Sequence, residues 1–238
     1  MKKIIALLMA MTMLFALAAC GNGGSSAPAG SDSAAADQAQ PATSNEPMDA
    51  EITESGYVVD GGFLYYAVTL HNPNTEYAIE IPSYRVTAKD ESGNVLGTME
   101  HTLSVIYPGQ DFRYAFQGFS CDKEPADVSF EIIPGADYNF SKVSTLDHAD
   151  YQPLEVVSAS LSNDGFSDSV LGEVQNNNDY DIDSAIVVVY FRDAEGNLAG
   201  GIGTFIDHVP AGGTAAFDIN VYADIATDNF EVYADNWM

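Results

Sequence analysis

Three aspartates at alternate positions, in Asp179-Tyr180-Asp181-Ile182-Asp183, form the densest group of candidate ligands in the chain. Carboxylate oxygens hold hard cations such as Ca²⁺. In an extended strand alternate residues share one face, so the three would project together. The helix-loop-helix calcium pattern fails here, because the sixth position from Asp179 is Ser184 instead of Gly and the twelfth is Tyr190 instead of Glu. Two readings remain. The group is a site for Ca²⁺ or a small cationic ligand, with Asp164, Asp168 and Glu173 as possible contributors, or it is a solvated acidic edge that discourages strand-to-strand pairing. Four histidines (71, 101, 148, 208) are scattered, and no H-E-x-x-H, G-x-S-x-G or P-loop motif occurs. Nothing in their spacing supplies a base to Cys121, which is expected either as a buried, inert thiol or as an exposed one that pairs between chains. No catalytic residue is assigned, and the expected class is not an enzyme.

The other cysteine, Cys20, closes a segment with its own logic. Lys2 and Lys3 form a positive start, Ile4 to Ala16 is apolar apart from Thr12, and small residues Ala18 and Ala19 follow. This is the layout of a secretory signal, too short for a stable membrane span. Leu17-Ala18-Ala19-Cys20 resembles the lipobox of bacterial lipoproteins. In that family the thiol takes a diacylglyceryl group and the chain is cut just before it. The resemblance implies a signal peptide over 1–19 and a lipid, palmitate among its acyl chains, covalently held at Cys20. It implies a location on the extracellular face of a bacterial cell membrane, with the membrane as partner through that anchor.

Charge narrows the other partners. Eight Lys+Arg stand against 35 Asp+Glu, a net charge of −27. Nucleic acid is excluded as a partner, since binding phosphates needs a surplus of basic side chains. Loss of Lys2 and Lys3 with the signal leaves six cations: Arg85, Lys89, Arg113, Lys123, Lys142 and Arg192. The 46% of apolar residues, with 13 Tyr and 12 Phe, can build a core.

The elements that must position these residues begin after a tether. Residues 20–50 hold the acylated Cys and a Gly, Ser, Ala and Pro-rich stretch without apolar periodicity, expected to be disordered. Thirty residues of coil span roughly 30 Å root-mean-square. Beyond it the chain repeats. Asp90-Glu-Ser-Gly-Asn94 matches Asp193-Ala-Glu-Gly-Asn197, and Gly97, Ile106 and Gly109 meet Gly200, Val209 and Gly212. Asn72-Pro-Asn74 meets Asn176-Asn-Asn178, and Phe130-Glu131 meets Phe230-Glu231.

Each copy reads as β. Ala185 to Phe191 is a β-branched and aromatic run, and Leu198 to Val209 returns after the acidic turn. Ala215, Phe217, Ile219 and Val221 alternate with other residues in period two, as do Phe112, Tyr114 and Phe116. Gly200-Gly201-Ile-Gly203 lies inside a hairpin strand, where glycines mark a bulge or kink. The expected fold is all-β: two tandem immunoglobulin-like antiparallel sandwiches, over 51–134 and 154–238, joined by a connector at 135–153. Tyr138 and Phe140, two apart, leave open a last strand of the first domain inside that connector.

The order Gly172-x-Val174-x-Asn176, Tyr190-Phe191-x-Asp193-x-x-Gly196, then Pro210-x-Gly212-x-Thr214 is similar to the FxLYD domain family, small extracellular β-domains of bacteria often found on lipoproteins. The second copy matches more clearly. In the first, Tyr84-Arg-Val-Thr-Ala-Lys-Asp90 lacks the aromatic pair. The family signature fixes turns and core and transfers no catalytic residue. The expected function is that of a membrane-anchored, non-catalytic surface or envelope module with an unidentified protein or glycan partner. The alternative is a lipoprotein that binds Ca²⁺ or a small cation through its acidic loops.

Overall fold

The computed structural model describes residues 46–115, 118–163, 167–221 and 229–237. The signal, Cys20, the tether up to residue 45, Phe116 and Asp164 lie outside the described residues. The first copy runs β1 (Glu51–Asp60), β2 (Phe63–His71), β3 (Tyr77–Ile79), β4 (Ser83–Lys89), β5 (Val95–Thr102), β6 (Asp111–Tyr114), β7 (Phe119–Ser120) and β8 (Asp127–Ile133). After β9 (Phe140–Lys142) the second copy runs β10 (Glu155–Asn163), β11 (Asp168–Gln175), β12 (Ile182–Arg192), β13 (Leu198–Val209), β14 (Thr214–Val221) and β15 (Phe230–Asn236). The fold is all-β and antiparallel throughout its ladders.

The copies share one topology. Sheets β1-β2-β6 and β5-β4-β8 make the first sandwich, and β10-β11-β14 and β13-β12-β15 make the second. Details repeat as well. A bulge at Ile52/Glu54 returns at Val156/Ser158, and another at Ala88/Lys89 returns at Phe191/Arg192. Asp90 and Asp193 each cap their hairpin by accepting two backbone N–H bonds, and Gly93 and Gly196 supply the positive φ of the turn. Asn72 and Asn176 are fully buried, and each side chain makes four bonds. Asn72 Nδ2 donates to the Tyr77 and Ile106 carbonyls, while its Oδ1 accepts from the backbone and side chain of Asn74. Asn176 does the same with Tyr180, Val209 and Asn178.

The ladders correct one pairing of the repeat. Phe130 lies opposite Val86, and the residue at the same place in the second copy, opposite Val189, is Val232. Phe230 corresponds to Val128. The connector is partly a strand, since β9 pairs with β3, flanked by 3₁₀ turns at Asp137–Asn139 and Val143–Thr145. Order also begins before the expected end of the tether. Met48 N–H and C=O are both bonded to the Asn74 side chain, and Ala50 is buried.

The two sandwiches do not stand apart, and the described residues from 46 to 237 belong to one compact unit. β2 and β12 are buried along nearly their whole length, unlike the alternating β4. A strand buried on both faces is an inner layer. Leu64, Tyr66, Val68 and Leu70 of β2 face the core of the first sandwich. Tyr65, Ala67 and Thr69 face the second copy, where Thr69 Oγ1 meets Tyr190 Oη at 3.3 Å. From β12, Ile186, Val188 and Tyr190 join the first core, while Val187, Val189 and Phe191 fill the second. The buried Tyr190 hydroxyl donates to the Val68 carbonyl at 2.6 Å. Arg192 joins Glu54 of the first copy at 2.7 Å and Glu231 of the second at 2.6 Å. The layers therefore stack β5-β4-β8, β1-β2-β6, β13-β12-β15, β10-β11-β14.

That stacking explains Gly201 and Gly203. The bulge sits beside them, at Phe191/Arg192, but their main role is close approach. A Cβ on Gly201 would lie 2.8 Å from Ala115 Cβ and 2.9 Å from Ala67 Cβ, and one on Gly203 would collide with the Ala115 carbonyl.

Candidate functional site

Asp179, Asp181 and Asp183 are all exposed, at the entry to β12. Ile182 between the last two points into the second core, so Asp181 and Asp183 share the opposite face. Asp181 accepts the Ala211 N–H at 2.9 Å, which ties the entry of β12 to the β13–β14 turn. Asp181 and Asp183 line one cavity of about 270 Å³, together with His148, Tyr180, Ser184 and Trp237. Asp179 is not part of its wall. The other proposed contributors are engaged elsewhere: Asp168 accepts from Asn163 at 2.7 Å, and Glu173 lies 3.4 Å from the Thr214 hydroxyl. Among the described residues no three His, Cys, Asp or Glu side chains gather around one point.

The cavity wall is as aromatic as it is acidic. Trp237 is fixed by its backbone N–H, which donates to Ser184 O, and by ring contacts with Phe205, Phe112 and Tyr114. The Tyr180 ring is stacked on His148 at 3.5 Å between centroids. Burial pushes the Tyr180 hydroxyl up to about 12.

Behind this cavity lies a buried polar junction that sequence reasoning missed. Asp235 is 8% exposed and sits where β15, the turn before β6 and the end of the connector meet. Its Oδ1 accepts from Gln110 Nε2 at 2.8 Å and from Tyr151 Oη at 2.7 Å, and Tyr151 Oη accepts the Asn236 N–H at 2.8 Å. Tyr107 and Tyr151 stack at 4.9 Å. Burial raises the Asp235 carboxyl to about 7, against the pull of its two donors and of Arg113. The only signal in the sequence was an acid inside the strand Phe230 to Asn236, whose alternation does not mark it as buried.

A second buried cluster lies inside the first sandwich. His101 of β5 stands opposite Tyr84 of β4. It bonds the Tyr66 hydroxyl through Nε2 and the Tyr114 hydroxyl through Nδ1. Burial lowers the His101 imidazole, so it is neutral at pH 7, and a neutral ring offers one donor and one acceptor. The Tyr114 hydroxyl is raised to about 12 by burial, and Tyr66 and Tyr84 are raised further. These groups cross-link the core in their uncharged forms. Tyr114 was legible in the period-two alternation with Phe112, but the meeting of the three tyrosines at His101 was not.

Cys121 is buried, with its Sγ donating to the Lys123 carbonyl at 3.1 Å. A groove of about 260 Å³ at the end of the first sandwich carries Ile81, whose φ of 47° puts a β-branched residue in left-handed backbone, and the exposed Tyr138.

No family model and no curated protein matches the chain. It is similar to the C-terminal globular domain of oligosaccharyltransferase from Pyrococcus abyssi at a TM-score of 0.16 and 10% identity, over 79% of this chain and 47% of that one. The chain thus spans about half the length of that structure. It is similar to the N-terminal CBM22-1-CBM22-2 tandem domain of Xyn10C from Paenibacillus barcinonensis at a TM-score of 0.16 and 11% identity, over 80% of this chain and 91% of that one. Likeness at that level carries no argument about function.

Proposed function

We propose that the chain is a lipid-anchored protein of the outer face of a bacterial cell membrane, acting there as a non-catalytic interaction or envelope-associated module built from two FxLYD-like repeats. The observation that carries this reading is Leu17-Ala18-Ala19-Cys20 at the end of a charged, then apolar, then small-residue segment. Two acyl chains bury enough CH₂ groups to hold a protein on a membrane. Two features of the body fit an anchored role. The chain enters it at Met48, whose backbone is held on both sides by Asn74. The body itself is acidic and interlocked, which keeps it soluble and stands it off an anionic surface. Growth with radiolabelled palmitate tests the anchor: label should enter the protein, and Cys20→Ala should abolish labelling and release the protein to the soluble fraction. Unlabelled wild-type protein together with a membrane-bound Cys20→Ala variant overturns it. A second reading, a module for a small cationic ligand, is favoured by the cavity that Asp181 and Asp183 share with Trp237.

A further inference from the structure

The cavity beside Trp237 supports a more specific reading. Ca²⁺ takes six to eight oxygen ligands. Among the described residues Asp181 and Asp183 are the only carboxylates in this wall, and Asp181 already spends one oxygen on the Ala211 N–H. An oxygen cage for a bare metal ion is therefore not built here. What is present are two negative groups, the Trp237 indole and the Tyr180 ring, around a space of about 270 Å³. Carboxylates beside aromatic rings suit an organic ammonium, whose charge the carboxylates pair and whose C–H groups the rings can contact. Among the described residues no Lys or Arg lines the cavity, so none of them places a permanent positive charge there. The wall is also preorganised. Trp237 is pinned by Ser184 O and by three rings behind it, and Tyr180 by its stack on His148.

We propose that the cavity formed by Asp181, Asp183, Tyr180 and Trp237 is a binding site for an organic ammonium ion, either a small free amine or a lysine side chain of a partner. This rests on the reading of the chain as a binding module and is independent of the lipid anchor. The volume admits a small amine or one lysine side chain.

Trp237 is the single tryptophan, so its fluorescence reports the site directly. The full chain in detergent is titrated at low salt with tetramethylammonium chloride and, separately, with N-acetyl-lysine methylamide, using sodium chloride as the ionic-strength control. A saturable change with either probe is expected, with half-saturation at millimolar concentration. Asp181→Asn/Asp183→Asn should bind roughly tenfold more weakly or worse. Asn keeps an acceptor for the Ala211 N–H, and an unchanged melting temperature shows that the variant is folded. Saturation by the lysine amide alone assigns the site to a protein partner, and by tetramethylammonium alone to a small ligand. No saturable change with either probe overturns the proposal, as does equal binding by the double variant. Saturation by CaCl₂ in preference to both probes assigns a metal site and also overturns it. Palmitate labelling is blind to all of these outcomes, so failure here and failure of the anchor are told apart.

Discussion

Asp235 gives the sharpest test of how the two copies are joined. Its carboxyl is buried among Tyr151, Gln110 and Asn236, with no cation in hydrogen-bond contact among the described residues. Burial lifts it from 3.8 to about 7. The folded protein therefore holds a proton that the unfolded chain releases near pH 4. Stability from this group is complete below about pH 4 and is lost as pH rises through about 7. A gap of roughly three pH units, at about 1.36 kcal/mol each, is worth roughly 4 kcal/mol. Asp235→Asn removes the charge but keeps an oxygen for Tyr151 and Gln110. Urea unfolding of wild type and variant from pH 4.5 to pH 8.5 measures the difference. The variant should match wild type within about 1 kcal/mol at the acid end and exceed it by up to about 4 kcal/mol at the alkaline end, with the change centred between pH 5 and pH 7. Other titrating groups are common to both proteins and cancel. Asp90, Asp193 and Glu231, which are lowered in the fold, shift both curves alike. Parallel curves, or a variant less stable at pH 8.5, would refute a carboxyl that is neutral because it is buried.

Two further substitutions probe the interlock and its supports. Gly201→Val places carbon atoms where Ala67 and Ala115 already stand, and should cost about 3 kcal/mol in urea unfolding. A neutral result would mean that the inner sheets do not touch there. Asn72→Ala and Asn176→Ala each remove two bonds to carbonyls and leave the N–H of Asn74 or Asn178 without its acceptor, and should each cost about 2–4 kcal/mol. Losses below about 1 kcal/mol for both would show that the repeated asparagine is dispensable to the loop it spans.

The strands themselves were legible because their cues are local. Leu198–Val209 is a strand over the span its apolar content marks, and Thr214–Val221 follows the period-two alternation. The acidic turns at Asp90 and Asp193 fold as their Gly and Asn positions require. What the sequence could not show was which faces meet. β12 is apolar on both sides, which says it is buried twice but not against what. Gly201 and Gly203 read as kinks, because beside the β12 carbonyls the atoms that forbid a side chain there belong to Ala67 and Ala115, over eighty residues away. Asp235 is hidden for the same reason, since its partner Gln110 comes from the other copy. The alternation of Asp179, Asp181 and Asp183 could not show that Asp179 stays out of the cavity wall or that Trp237, from the far end of the chain, lines it with the other two.

The interlock also explains why the two copies differ where they do. The sheets that meet are not equivalent: the β1-β2-β6 sheet of the first copy meets the β13-β12-β15 sheet of the second. Such a head-to-tail contact leaves the matching faces open at both ends, and an open contact of this kind can propagate into a filament. The ladders place Ser83, Arg85 and Thr87 where the second copy has Ile186, Val188 and Tyr190. They likewise place Thr98 and Glu100 where it has Gly201 and Gly203. The outer face of the first copy thus carries an Arg85–Glu100 pair on the ground that the second copy gives to Val188 and Gly203. At the other end Ser169, Leu171 and Glu173 stand where the first copy has Tyr65, Ala67 and Thr69. The absence of an aromatic pair from Tyr84-Arg-Val-Thr-Ala-Lys-Asp90 follows from the exposure of that face. Thr87 faces water, while its counterpart Tyr190 is buried between sheets and bonded to Val68. Both copies keep a core and the acidic turn at Asp90 and Asp193, while the sheet face that meets the other copy is apolar and the outward face of β4 and β5 is polar.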